Sequence, residues 1–164
     1  MQCQHLLTIH YSLIYPYLDY GLLLWGSTSP SLKRKVFLLQ KKAIRIVCGA
    51  KYNDNTDPLF FQHKVLKLED LYTFQISKHM FLHSKMLLPP PLTNMFVMNR
   101  DIHTYDTRQR NLPHILPRRT RVAANSLRHK GPEVWYRVPQ HIKDAASIIT
   151  FKTQLKKYLF SNQE

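Results

Sequence analysis

A mainly α-helical fold is predicted for this chain: a small helical bundle, a long Pro/Arg-rich loop passage, and room in it for one short hairpin. Three observations point there. Apolar residues recur at spacings of three and four over 29–49 and again over 147–159, the period of a helix with one buried face. Glycine is scarce, at four, and proline is common, at ten, which suits helices joined by stiff connections. The 164 residues are 44 % apolar, enough for one domain with a modest core.

The elements follow in order. Residues 5–26, "HLLTIHYSLIYPYLDYGLLLWG", carry no Lys or Arg. They also hold His5, His10, Pro16 and Asp19, so they are a poor membrane span, and they lack the positive start and cleavage site of a signal peptide. They are expected to be a core segment of a soluble fold. Over 29–49, Ser29 can cap, Pro30 suits the first turn and Gly49 the C-terminal stop. Leu32, Val36, Leu39, Ala43 and Ile46 share one face that another element must cover, with Arg34, Lys41 and Arg45 opposite.

Residues 69–88 predict a second helix. Glu69 and Asp70 favour its start, apolar residues lie nearly all round it, and "LPPP" ends it. Residues 89–121 hold five of the ten prolines and no glycine, and read as extended and loop-rich. A short helix over 121–130 is expected to stop at "GP" (131–132). In the last helix Ser147 caps, Ile148, Phe151, Leu155 and Leu159 share a face, and Lys152, Lys156 and Lys157 lie away from it. This divides the chain into a helical region (1–88), a basic Pro-rich connecting segment (89–130) and a C-terminal helical region (131–164).

Charge narrows the function. Twenty-four Lys+Arg against ten Asp+Glu leave +14. Eight basic residues between Arg100 and Lys130 face only Asp101 and Asp106, a net +6. Nucleic acid, anionic lipid and acidic protein are the partners such a surface attracts. The basic residues are spread over several elements instead of one strongly amphipathic surface helix, so attachment to a membrane is not expected.

Catalytic motifs are missing. There is no Asp-Asp pair, no two-metal carboxylate motif, no Gly-rich phosphate loop and no nucleophile elbow, and no cofactor is implied. Cys3 and Cys48 make neither a disulfide framework nor a C-x-x-C metal spacing, and Cys48 has no obvious base; a reducing intracellular compartment, nuclear or cytoplasmic, fits. His79 and His83, four apart, could hold zinc but lack a third ligand and read as core neighbours. Tyr11, Tyr15, Tyr17, Tyr20 and Trp25 could stack on bases and read rather as core.

Five stretches carry a resemblance in order: "HYSLIYPYLDYGLLLWG" (10–26), "LLQKKAIRIVCG" (38–49), "DPLFFQHKVLKLEDLYTFQISKHMF" (57–81), "HTYDTRQR" (103–110) and "GPEVWYRVPQHIKDAASIITFKTQLKKYL" (131–159). Together they resemble the region after the palm, the thumb and C-terminal part, of reverse transcriptases of jockey/LINE-type non-LTR retrotransposons. The second stretch matches the family's Leu-Gln-Lys-Ala-Arg pattern on Leu39, Gln40, Lys41, Lys42, Ala43 and Arg45; the fourth matches its His-Tyr-Thr-Arg motif on His103, Tyr105, Thr107 and Arg108. Tyr136 stands where the family commonly has Asn, and Val138 where it has Leu.

The resemblance implies a thumb-like role for 1–88 and a fragment without the palm's catalytic aspartates, one that does not polymerise by itself. Its expected partners are an RNA/DNA template–primer and the upstream palm and fingers of the parent polymerase. It also implies that Leu13, Ile14, Leu18, Leu22, Leu23 and Leu24 lack part of the cover they have in the family. The candidate nucleic-acid-binding residues are Arg34, Lys41, Lys42, Arg45, Arg108, Arg110, Arg118, Arg119 and Arg121. Asp106 and Thr107 are expected to cap or turn the chain, and Trp135 to anchor a core. The competing reading is a basic helical module that binds an acidic protein and has no nucleic-acid role.

Overall fold

A computed structural model describes residues 2–105 and 108–161. Asp106 and Thr107 lie outside the described residues, as does the side chain of Arg121. The fold is mainly helical, and no strand occurs among the described residues. Where a hairpin had room, the described residues make one isolated antiparallel bridge, Met98 to Pro113. No helix among the described residues is long and apolar enough to cross a membrane. The chain divides into two compact units, Met1–Tyr72 with Tyr158–Glu164, and Thr73–Lys157.

The first unit opens with α1 (Gln2–Ile9), a π-helical turn (His10–Ile14), α2 (Tyr15–Asp19) and α3 (Leu22–Trp25). Pro16 has no N–H to return to an i−4 carbonyl, and the wide turn lets the Tyr15 N–H reach the His10 carbonyl instead. Gly21, at φ 63, starts α3 from a left-handed conformation. Gly26 ends it where a Cβ would come 2.4 Å from the Tyr72 ring. This segment is not the core element expected from its composition. Only His10, Leu22 and Gly26 are buried; Leu13, Leu24, Tyr17 and Tyr20 are exposed, the last by 86 %. The tyrosines therefore do not form a core cluster.

α4 (Pro30–Cys48) starts and stops where expected, with Pro30 in the first turn and Gly49 at φ 65 after the last, its N–H returning to Arg45 and Ile46 carbonyls. The Ser29 side chain does not cap it and pairs with the Ser31 hydroxyl instead. Its rotation differs from expectation. Leu32, Leu39 and Ile46 face outward, Leu39 63 % and Ile46 72 % exposed, while Gln40, Ile44 and Val47 are buried. Two faces of this helix are apolar enough to bury, and a polar contact chooses between them. Gln40 donates from Nε2 to the Leu66 carbonyl (2.9 Å) and accepts at Oε1 from the Leu68 N–H (3.0 Å). α5 (Asp57–Gln62) then brings Phe60 onto Ile44 and Val65, with Leu7, Phe37, Cys48 and Leu59 packed around them.

α6 (Leu68–Ser84) is buried nearly all round, as its composition predicts. It ends at Ser84, before the prolines, because the chain turns at Met86 with φ 56.

In the second unit, α7 (Pro90–Thr93) and α8 (Asn99–Ile102) are single turns inside the loop-rich passage. α9 (Arg121–Asn125) is capped by Thr120, whose Oγ1 accepts the Ala123 N–H at 3.1 Å. α10 (Leu127–Arg137) runs through Gly131 and Pro132 and does not stop there. Gly131 serves packing: a Cβ would sit 2.8 Å from Met80 Sδ and 2.9 Å from the Phe96 ring. After α11 (Gln140–Lys143), α12 (Ile148–Ser161) starts as expected, its Thr150 N–H donating to Ser147 Oγ. Phe151 stacks on Phe81 at 4.3 Å and meets buried Trp135 at 6.1 Å.

Candidate functional site

The first unit places a mixed face of α4 outward. Arg34, Lys35, Leu38, Leu39 and Lys42 are all exposed there. Lys35, Leu38, Leu39, Lys42, Arg45 and Tyr52 line a shallow cavity of about 420 Å³. Arg34, Lys35 and Lys42 form no ion pair among the described residues. Two other expected ligands are engaged inside the unit. Arg45 donates from Nε and Nη2 to the Asp54 carbonyl, at 3.1 and 3.0 Å, and holds the loop after α4. Lys41 is half-buried with its ammonium 4.9 Å from the Phe37 ring centroid, a cation–π contact. The basic back expected from Arg34, Lys41 and Arg45 is thus replaced by a row of Arg34, Lys35 and Lys42 beside exposed leucines.

The second unit gathers a different group. Asn99, His103, Tyr105, Arg108, His114 and Tyr136 line a cavity of about 530 Å³. Asn99 Nδ2 donates to the Tyr136 hydroxyl (3.0 Å) and to the Gln109 carbonyl (2.8 Å). Its Oδ1 accepts from His114 Nδ1 (2.9 Å), so neutral His114 keeps Nε2 as an acceptor. His103 stacks on Tyr105 at 5.1 Å and meets His114 at 5.9 Å. A guanidinium, imidazoles and phenol rings in one hollow are the groups that hold a phosphate and stack on a base.

The other expected arginines diverge. Arg118 Nη1 donates to Glu133 Oε1 at 2.6 Å, and Lys130 reaches the same carboxylate at 3.2 Å, so this patch is partly neutralised. Arg110 and Arg119 are exposed, and the Arg110 carbonyl accepts the Arg100 N–H.

His79 and His83 both meet Phe96, at 6.2 and 4.9 Å, and His83 Nε2 donates to the Thr93 carbonyl at 3.1 Å. Burial lowers the pKa of both.

Sequence reading missed three things. Gln40 is a structural cap, Tyr136 and His114 join the His103–Arg108 stretch, and Cys3, Cys48 and His63 converge. Only the second had a sequence signal, since the two stretches were already singled out. No match to this chain was found among protein-family models, curated proteins or solved structures.

Proposed function

We propose that this chain is a nucleic-acid-contacting part of a retroelement reverse transcriptase that holds template–primer by its backbone and does not read sequence. The row Arg34, Lys35 and Lys42 on α4, outward and without carboxylate partners among the described residues, is the observation that carries the reading. Lys and Arg on a convex helix face give register and orientation through phosphate contacts. The five ordered sequence stretches supply the polymerase context, and the Arg108 hollow supplies a place for a base or phosphate.

Binding of nuclease-treated protein to duplex DNA, RNA–DNA hybrid and single-stranded RNA over a salt series tests it. Contact with six phosphates gives a log–log slope of roughly −5 on duplex. Arg34→Glu with Lys35→Glu and Lys42→Glu lowers affinity for all sequences alike and leaves helicity unchanged. No retention at low salt, or a slope near zero, refutes the proposal.

One observation favours a second reading, docking of a protein: Leu32, Leu38, Leu39 and Ile46 are exposed on the same helix. A nuclease-resistant pull-down abolished by Leu39→Asp, with nucleic-acid binding absent, would select it.

A further inference from the structure

Three side chains far apart in sequence meet in the first unit. Cys3 comes from α1, Cys48 is the last residue of α4, and His63 follows α5. Cys3 Sγ lies 3.9 Å from His63 Nδ1 and 4.0 Å from Nε2, and one ligand atom from each residue lies within 4.8 Å of the others. A tetrahedral zinc with Zn–S of ~2.3 Å and Zn–N of ~2.0 Å needs edges of about 3.8 Å between sulfurs and about 3.5 Å between sulfur and nitrogen. The three groups are thus within about 1 Å of that geometry, a distance side-chain torsions can close.

We infer that Cys3, Cys48 and His63 form a binding site for a soft-to-borderline divalent cation, zinc above all, with a fourth position open to water. The donor set of two sulfurs and one imidazole selects such an ion over magnesium or calcium. All three residues are half-buried, so the fourth position can reach solvent. The C-terminal end of α4 carries the negative end of the helix dipole next to Cys48, which favours a cation there. Both sulfurs bind a metal as thiolates. Binding then replaces the two thiol protons: M²⁺ and two thiols give a neutral metal dithiolate and two H⁺, with no oxidant consumed.

The bound ion would pin α1 beside the Ile44–Phe60–Val65 cluster, against which Cys48 and Leu7 already pack. This role is independent of nucleic-acid contact and is tested apart from it.

The reduced full chain is titrated with Co²⁺ and then with Zn²⁺. A thiolate-to-cobalt charge-transfer band that saturates at one equivalent and is displaced by zinc is expected. Cys3→Ser, Cys48→Ser and His63→Asn should each weaken binding at least tenfold. Should a variant not fold, alkylation of the wild-type chain gives the answer: zinc should slow iodoacetamide reaction at both Cys3 and Cys48. Absence of the band, binding unchanged in the two serine variants, or equal alkylation rates with and without zinc each overturns the site. A Cys3–Cys48 disulfide formed in air, with no metal retained by the reduced chain, overturns it too.

Discussion

Gln40 decides how α4 sits, and it does so with one amide. Its two hydrogen bonds satisfy the Leu66 carbonyl and the N–H of Leu68, one of the orphan donors at the start of α6. Gln40 itself is 2 % exposed, so neither backbone group has water in reserve. Gln40→Ala should cost roughly 2–4 kcal/mol, two buried groups at ~1–3 each with partial relaxation. A shift in the urea midpoint with unchanged m would measure it, and a neutral result would mean that α4 is held by Ile44 and Val47 alone. His10 shows the opposite situation. It is fully buried and neither ring nitrogen has a hydrogen-bond partner among the described residues. Burial lowers its pKa below 6.5, and the same cause acts on His79 and His83. Each therefore binds its proton more weakly in the folded chain than in the unfolded one. Their contribution to stability is complete above about 6.5 and is lost as pH falls through that value toward the lowered ones. Denaturation at about pH 7 and about pH 5 should show the loss, smaller in His10→Leu; stability that rises on acidification would contradict it. The roles of Gln40 and His10 were not legible from sequence, because each depends on which groups fold beside the residue. His79 and His83, four apart on an apolar helix, were legible as core neighbours and do lie against Phe96.

Helix ends were more readable than helix faces. Pro30, Gly49 and Ser147 act locally, through φ or a hydroxyl within a few residues, and their positions came out as expected. The buried face of α4 did not, because Leu32–Leu39–Ile46 and Phe37–Ile44–Val47 are both oily and periodicity cannot rank them. In "GP" (131–132) the breaker signal was overruled by packing: the missing Cβ of Gly131 makes room for Met80 and Phe96. Gly131→Ala is therefore a sharp test at this scale. Helix propensity alone would reward it by up to ~1 kcal/mol. The contact with the Phe96 ring at 2.9 Å should win, since overpacking costs roughly 1–3 kcal/mol. A lower melting temperature for the variant is expected, with little change in far-UV circular dichroism. A higher one would show that Met80 and Phe96 yield freely and that the glycine has another reason.

The whole chain combines a net charge of +14 with exposed apolar side chains in its first unit, Leu13, Leu24, Leu32, Leu38, Leu39 and Ile46 among them. The two features oppose each other. Like charge keeps copies apart, and exposed apolar patches draw them together. Salt changes the balance, because the screening length falls from ~30 Å at about 0.01 M to ~3 Å at about 1 M. Nucleic-acid-free protein should then be largely monomeric at low salt and self-associate as salt rises. Binding to nucleic acid should move the other way and weaken over the same range. Sedimentation velocity and filter binding on one preparation separate the two. Leu38→Lys with Leu39→Lys should abolish the salt-induced association and leave nucleic-acid affinity equal or higher, since it replaces exposed leucines by cations beside Lys42. If the double variant still associates in high salt, the exposed residues of the N-terminal helices, Leu13 and Leu24, carry the contact instead. If the parent chain stays monomeric throughout, the outward leucines of α4 are too dispersed to attract a second copy, and the docking reading loses its physical basis.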